Sequence, residues 1–212
     1  MAGTPGRFIT LEGGEGGGKT TQAARLAARL QACGLTVELT REPGGTPGAE
    51  AIRRLLVEGP PERWLPLDEA FLHIAARHDH TERRIRPALV AGSWVICDRY
   101  LDSTRVYQGL AGGVDAAAID ALHVLAVGNL RPDLTLVLDV DPARGLDRRR
   151  RAGGAGRYEA MDTAFHARVR AGFRELAAGE PERCVLIPAD GAPDAVAETI
   201  WTTVGARFGL VP

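Results

Sequence analysis

The sequence predicts an α/β fold, in which a five-stranded parallel sheet is covered by helices on both faces in three α/β/α layers. Short β-like runs alternate with longer helical patterns, which is typical of such sheets. A glycine-rich loop separates the first predicted strand from the first predicted helix, as in phosphate-binding proteins of this class. The 212 residues contain no internal repeat and no long linker, so we expect one domain over residues 1–212.

The elements follow from apolar periodicity and from glycine or proline at their ends. Strands are predicted at 8–12, 35–40, 94–97, 134–138 and 184–187. The first helix, 20–32, has apolar residues at helical spacing and ends before Gly34, and the second, 48–58, is stopped by Gly-Pro-Pro. Later helices are predicted at 115–127, 142–151, 160–178 and 193–208.

A long helix over 67–90 carries two different stripes. Phe71, Ile74 and Ala75 form an apolar side, and we expect Phe71 to face the core. The other stripe is polar and consists of His73, Arg77, His80 and Arg84. Its spacing places these four side chains along one face of the helix.

Residues 13–20, read GGEGGGKT, match the phosphate-binding loop pattern. Glycines let successive backbone N–H groups turn toward an anion, and the helix that follows presents its positive end to the same anion. Lys19 adds a charge, and the Thr20 hydroxyl can reach Mg²⁺. A flexible glycine turn is the alternative, but a strand before and a helix after the loop argue against it. The predicted ATP contacts are Gly13, Gly14, Glu15, Gly16, Gly17, Gly18, Lys19, Thr20 and Thr21.

Composition excludes several other functions. The 26 basic and 27 acidic residues give a net charge of −1, so we expect neither nucleic acid nor a membrane surface as a partner. The three cysteines lack metal-ligand spacing and fit a reducing compartment. With neither a signal peptide nor an apolar run of membrane-spanning length, the expected location is the cytoplasm.

A phosphate loop alone does not distinguish a switch GTPase from a small-molecule kinase. The chain lacks an Asn-Lys-x-Asp guanine-reading segment and an Asp-x-x-Gly switch segment. A kinase with an anionic acceptor needs cationic side chains outside the loop. The sequence supplies them at Arg41, Arg53, Arg77, Arg99, 148–151 and Arg157.

Over nearly its whole length the chain resembles the thymidylate kinase family. The segments that carry this resemblance are GGEGGGKTTQ at 13–22, TREPGGT at 40–46, AAR at 75–77, DRYLDSTRVYQG at 98–109, RPDLTLVLDVDP at 131–142 and GRYE at 156–159. The resemblance implies a nucleoside monophosphate kinase fold with a small helical lid. It also implies transfer of the ATP γ-phosphoryl group to dTMP with Mg²⁺, and a homodimer.

The same resemblance implies roles for individual residues. Arg99 would clamp the acceptor phosphate, since a guanidinium fork suits bidentate phosphate recognition. Arg77 would donate to thymine, Tyr107 would pack beneath the deoxyribose, and Glu15 would reach its 3′-hydroxyl. Thr20 and Asp98 would hold the metal. The full dTMP set is Glu15, Glu42, Pro43, Arg53, His73, Arg77, Arg99, Ser103, Thr104, Tyr107 and Gln108.

Arginines and glycines over about 148–160 suggest a lid that closes over ATP. The alternative is a solvated helix end. The phosphate loop has Gly16 and Gly17 where some family members carry an arginine, so the resemblance points to the bacterial form with lid arginines. The expected catalytic residues are Lys19, Arg99, Arg148, Arg150, Arg157 and Glu15.

His73 departs from the family pattern, which has a phenylalanine that stacks on thymine at this position. A histidine ring can stack, but it has less apolar area and a titratable charge. We therefore expect tolerance of analogues at the thymine 5 position, or a Michaelis constant that varies with pH between about 6 and 7.

Several alternatives stay open from the residues alone. Tyr107 could be a core residue, Arg77 a solvated helix residue, and Glu42 part of the next helix cap. Ser103 and Gln108 could equally stabilise a loop. A deoxynucleoside kinase would phosphorylate thymidine with a carboxylate base such as Glu42, and a nucleotide-binding switch would hydrolyse ATP slowly without an acceptor.

Overall fold

The computed structural model describes residues 6–153 and 156–210, and it contains the predicted five-stranded parallel sheet. Every pair of neighbouring strands is parallel, in the order β2-β3-β1-β4-β5. The strands are β1 (Phe8–Glu12), β2 (Val37–Arg41), β3 (Trp94–Asp98), β4 (Leu134–Asp139) and β5 (Cys184–Pro188). The central strand, β1, is buried along its whole length.

The helices are α1 (Lys19–Ala32), α2 (Pro47–Val57), α3 (Pro66–His80), α4 (Arg86–Val90), α5 (Leu101–Thr104), α6 (Ala116–Val127), α7 (Pro142–Arg151), α8 (Thr163–Gly179) and α9 (Pro193–Phe208). A π-helical turn, Thr81–Ile85, joins α3 to α4, so the predicted helix over 67–90 is confirmed. Another π-helical segment, Arg105–Leu110, extends α5. The sequence did not predict this helix, because residues 98–109 are mostly polar and show no apolar period.

Side chains alternate along the strands and fill a core on each face of the sheet. Ile9 and Leu11 point toward α1 and α9, where they join Leu30 and Ile200 in one cluster. Phe8 points to the opposite face and packs with Val95 and Tyr100. None of the helices within the described residues has the length and apolarity needed to cross a membrane.

The loop after β1 is pressed against the start of α7. Gly16 has a φ of 66°, and a Cβ there would overlap the carbonyl oxygen of Gly145. A Cβ on Gly145 would in turn overlap the carbonyl oxygen of Glu15. Glycine is therefore required on both sides of this contact, which holds the loop at the carboxyl end of the sheet.

The orientation of α3 corrects one prediction. Phe71 does not face the core, because its side chain is half exposed, and Ala75 is also exposed. Ile74 is buried as expected. Arg77 and His80, from the polar stripe, are both buried. The helix therefore turns its polar stripe inward, toward the ends of β2 and β3.

Candidate active site

The phosphate loop and α1 form a site for an anion. Gly18 precedes α1 with a φ of 85°, and no side chain in the described residues caps the helix there. The first N–H groups of α1 are thus free to bind a phosphate. Lys19 Nζ donates to the carbonyl oxygens of Gly13 and Gly14 at 3.1 and 2.7 Å. Burial lowers the pKa of Lys19 to about 8, so it stays largely charged at neutral pH.

Thr20 and Asp98 meet at the mouth of this loop, as predicted for the metal ligands. The Thr20 hydroxyl donates to Asp98 Oδ2 at 2.5 Å. Hydroxyl and carboxylate oxygens are the hard ligands that Mg²⁺ prefers, so the pair fits this ion. The described residues hold no group of three or more His, Cys, Asp or Glu side chains that could bind a metal without further ligands. Phosphate oxygens of a nucleotide would therefore have to complete the coordination.

A cleft of about 500 Å³ lies above the loop and is called here the donor cleft. Of the predicted ATP contacts it is lined by Glu15, Gly16, Gly17, Gly18, Lys19, Thr20 and Thr21. Gly13 and Gly14 are not among its lining residues. Their carbonyl oxygens accept hydrogen bonds from Lys19 Nζ and so connect this side chain to the start of the loop.

A neighbouring cleft of about 360 Å³, called here the acceptor cleft, gathers most of the predicted dTMP residues. Nine of them line it: Glu15, Glu42, Pro43, Arg53, His73, Arg99, Ser103, Tyr107 and Gln108. Arg77 and Thr104 are not in its lining but lie buried beside it. The two clefts share the residues Glu15, Glu42, Arg53, Arg99 and Arg149.

Arg99 occupies the junction between the clefts. It is the only non-glycine residue in the described chain with a positive φ, at 70°. Its guanidinium donates to Glu15 Oε1 at 2.7 Å, to Ser103 Oγ and Gly13 O at 3.0 Å, and to the Tyr107 hydroxyl at 3.3 Å. These contacts fix a planar cation where both clefts open.

Glu15 is a permanent anion beside Arg99. Burial opposes its ionisation, but the charges of Arg99 and Lys19 bring the pKa of Glu15 to about 2. Tyr107 donates to the same carboxylate at 2.9 Å and packs edge-on against Tyr158 and Phe173. Tyr107 is thus both a core residue and a wall of the acceptor cleft. At neutral pH Glu15 cannot act as a general acid.

Arg77 lies in a buried polar network, which excludes the solvated-helix alternative. Its side chain is 1% exposed. Nε donates to Glu42 at 2.8 Å, and Nη2 donates to Tyr100 O and Thr104 Oγ1 at 2.9 and 3.0 Å. His80 Nδ1 lies 3.0 Å from the other oxygen of Glu42. Arg77 Nη1 is buried without a partner among the described residues.

Glu42 does not cap the next helix, contrary to one alternative. Thr46 is the N-cap of α2 and accepts from Ala49 N at 3.3 Å. Both carboxylate oxygens of Glu42 are taken by Arg77 and His80. These two partners hold the Glu42 carboxylate in place at the edge of both clefts.

The lid arginines differ from the prediction. Arg148 lines the donor cleft and donates to Ala189 O and Asp190 O at 2.9 and 2.8 Å. Arg150 is exposed and lines neither cleft. Arg157 lines the acceptor cleft, but its side chain is buried in an ion pair with Glu69 and also donates to Leu56 O at 3.2 Å. Arg150 and Arg157 therefore do not face the phosphate loop in this structure.

Arg149 is the lid arginine that the sequence analysis did not single out. It lines both clefts, and its Nε donates to Glu159 Oε1 at 2.6 Å. Successive helical residues are about 100° apart, so the neighbours of Arg149 point elsewhere: Arg148 lines only the donor cleft and Arg150 lines neither cleft. The arginine run carries no signal that selects this position.

His73 and Gln108 complete the wall of the acceptor cleft. His73 Nε2 lies 3.3 Å from the Tyr158 hydroxyl. Burial, followed by the charges of Arg77, Arg99 and Arg53, lowers the pKa of His73 to about 3. The expected titration of His73 between pH 6 and 7 is therefore wrong, because the ring stays neutral there. Gln108 donates to Glu69 at 2.7 Å, and its Oε1 is buried without a described partner.

A phosphate loop with a hydroxyl–carboxylate metal pair, facing a second cleft lined by arginines, defines a kinase whose acceptor is itself anionic. A family model described as thymidylate kinase matches residues 11–200. The thymidylate kinase of Caulobacter vibrioides is 54% identical over 207 residues, which cover 98% of this chain and 100% of that protein. That of Rhizorhabdus wittichii is 55% identical over 194 residues, covering 91% and 93% of the two chains.

The crystal structure of thymidylate kinase from Ehrlichia chaffeensis aligns with a TM-score of 0.74 at 36% identity. The alignment covers 94% of this chain and 99% of that one. The chain belongs to the thymidylate kinase family.

We predict that Arg149→Ala lowers kcat by on the order of 10³-fold, because a cation at the point of phosphoryl transfer is lost. Arg150→Ala removes the same charge from the neighbouring exposed position and should retain near-normal kcat. Steady-state kinetics of the two variants check this. Equal losses in both would show that the position of the arginine is unimportant.

We also predict that His73→Phe leaves the shape of the pH profile unchanged between about pH 5.5 and 8. With a pKa of about 3, His73 is neutral throughout that range and contributes no titration. The measurement is the Michaelis constant for dTMP as a function of pH in the wild type and the variant. A pH dependence that disappears in His73→Phe would contradict the buried, neutral ring.

Proposed function

We propose that this enzyme transfers the γ-phosphoryl group of ATP to dTMP, giving dTDP and ADP, by positioning and charge neutralisation. The observation that carries this proposal is the junction of the two clefts at Arg99, Arg149 and Glu15. One cleft has the loop that binds a nucleoside triphosphate, and the other has the cations needed by a monophosphate.

The acceptor oxygen needs no general base. The second pKa of a phosphate monoester is about 6, so the dTMP phosphate is already largely ionised at neutral pH. The site agrees with this, because Glu15 is a fixed anion and Glu42 is held by Arg77 and His80. Arg99 would bind the acceptor phosphate with its guanidinium, and the phosphate oxygens would replace some of the present partners of Nη1 and Nη2.

Two unpartnered polar atoms suit the thymine ring. Arg77 Nη1 is a donor and Gln108 Oε1 is an acceptor, and both are buried beside the acceptor cleft. Thymine offers the complementary pair, a carbonyl oxygen and a ring N–H. A buried donor or acceptor that lacks a partner costs stability until a ligand supplies one, so these atoms favour a base with this pattern. His73 lies against the same cleft as a neutral ring.

On the donor side, Lys19 and the N–H groups of α1 hold the phosphates of ATP. Thr20 and Asp98 would hold Mg²⁺, which supplies charge neutralisation on the phosphates when bound. Arg148 and Arg149 lie on α7. We propose that residues 148–160, of which 154 and 155 lie outside the described residues, act as a lid within a single domain over 1–212. We propose the cytoplasm as the location of the reaction, because the three free cysteines would stay reduced there.

A coupled assay of ATP consumption across dTMP, dUMP, dGMP and thymidine tests the function. We expect turnover that depends on an acceptor and is fastest with dTMP. Arg99→Ala should lower that turnover by on the order of 10³-fold or more. Arg25→Ala, which removes an exposed arginine paired with Asp194, should leave it unchanged. Acceptor-independent hydrolysis would favour a switch, and a preference for thymidine would favour a nucleoside kinase.

We further propose that two copies of the chain associate through α3 and α6. These helices pack side by side, and both expose large apolar side chains to solvent. Exposed large apolar side chains, where they cluster, are typical of an interface. Those on α3 and α6, or directly before α3, are Leu65, Leu67, Phe71, Val124 and Leu125.

Leu125→Glu should convert the dimer into a monomer, since Leu125 is 84% exposed and a charge there is costly only inside an interface. Val90→Glu is the matched control, because Val90 is also 84% exposed but ends α4. Sedimentation velocity of the three proteins distinguishes the outcomes. A wild-type monomer, or dissociation by Val90→Glu alone, would refute this interface.

A further inference from the structure

Glu12 is a buried carboxylate that neither substrate cleft contains. It is the last residue of β1, directly before the phosphate loop, and it is 0% exposed. Its Oε1 accepts from Tyr100 N at 2.7 Å and from Ser103 N at 3.3 Å. Its Oε2 accepts from the Ser103 hydroxyl at 2.6 Å. Both oxygens are therefore used as acceptors, by donors that follow β3.

These donors belong to the turn that presents Arg99. Arg99 has the positive φ of 70°, and Tyr100 and Ser103 form the start of the following helix. The Ser103 hydroxyl accepts from Arg99 Nη1 at 3.0 Å while it donates to Glu12. A continuous chain of hydrogen bonds thus runs from Glu12 through Ser103 to Arg99. It connects the base of the phosphate loop to the cation of the acceptor cleft.

We propose that Glu12 is a positioning residue that sets the orientation of Arg99 through Ser103, and that protonation of Glu12 loosens the acceptor site. This inference rests on the proposed function of Arg99 as the clamp on the acceptor phosphate. A carboxylate suits the position because it only accepts hydrogen bonds, on both oxygens. Tyr100 N, Ser103 N and Ser103 Oγ all donate to Glu12. A protonated carboxyl or a glutamine side chain would turn one of its own N–H or O–H groups toward one of these donors.

The surroundings of Glu12 place this protonation close to neutral pH. Burial, and next the negative charge of Asp102, raise the pKa of Glu12 from its ordinary 4.5 to about 7. Hydrogen bonds from Ser103 and the charge of Arg99 act in the opposite direction. Lys19 and the Cys97 thiol are the other titratable groups whose electrostatics couple to Glu12. Protonation therefore has a physical reason to occur in the range in which the enzyme would be assayed.

The consequences for stability and for activity have opposite signs. Because the pKa in the folded state is above the ordinary value, folding favours the protonated form. This contribution to stability is complete below pH 4.5 and is lost as the pH rises through about 7. Activity should rise over the same interval, since the ionised form orients Ser103 and Arg99.

The first test is Glu12→Gln in the full-length enzyme. We expect kcat/KM for dTMP to fall by about 10- to 100-fold, the cost of a misplaced binding group, with the KM for ATP unchanged. The wild-type profile should show an acidic limb near pH 7 that is absent in Glu12→Gln. Ionisation of dTMP affects both proteins equally, so the difference between their pH profiles reports the ionisation of Glu12 alone. The melting temperature at about pH 8 should not fall, because a buried charge has been removed.

A second test examines the connection through Ser103. Ser103→Ala should lower kcat/KM for dTMP, and the double variant with Glu12→Gln should lose little more than either single variant. Glu38→Gln is the control, because Glu38 is a carboxylate on β2 that pairs with Arg84. It should leave the pH profile unchanged. In NMR, the Arg99 Nε–H signal should titrate with Glu12 in the wild type and stay constant in Glu12→Gln.

Three results would overturn the inference: a wild-type pH profile in Glu12→Gln, additive losses in the double variant, or equal losses toward both substrates with a lowered melting temperature. The NMR titration needs no turnover and therefore separates this inference from the proposed reaction. A wild-type enzyme that consumes ATP without dTMP would refute the proposed function, whatever the Arg99 signal does.

Discussion

The partly buried ion pair between Arg99 and Glu15 is the interaction on which the site depends. A guanidinium that leaves water requires close anionic and hydrogen-bonding partners, and Arg99 finds them only where two separate segments meet. The phosphate loop supplies Glu15 and Gly13, and the helix after β3 supplies Ser103 and Tyr107. The pairing thus ties the element that binds the donor to the element that binds the acceptor.

Much of the fold could be predicted, because the strands are continuous apolar runs and the phosphate loop combines a strand, glycines and a helix. The helical run formed by α5 and the segment Arg105–Leu110 could not, since it buries polar groups. Ser103, Thr104 and Gln108 are each at most 8% exposed, and each forms a hydrogen bond with another residue of the site. Periodicity methods read apolar spacing, and this helix is held by hydrogen bonds to Glu12, Arg77 and Glu69 instead.

The candidate site was predictable where a residue type has one chemical use, as for Lys19 and Thr20. The role of a site residue was not predictable where it depends on which side chain lies next to it in the folded protein. Arg157 looks like another lid cation in the sequence, but Glu69, fixed on α3, draws it into a buried ion pair. His73 has the ordinary titration range of histidine, yet burial and three neighbouring arginines keep it neutral. Glu69 is far from Arg157 in sequence, and of the three arginines only Arg77 is close to His73, so a local pattern could reveal little of these outcomes.

The orientation of α3 shows whether apolar burial or the hydrogen bonding of polar groups decides which face of this helix is buried. An isolated amphipathic helix would bury Phe71 and expose Arg77, since apolar burial is the larger general term. Here the helix lies beside the ends of β2 and β3, where Glu42, Tyr100 and Thr104 offer Arg77 two hydrogen bonds and a salt bridge. The same network would be left with unpaired buried groups if the helix rotated. Satisfying these polar atoms therefore fixes the rotation of α3, and Phe71 is left half exposed at the surface.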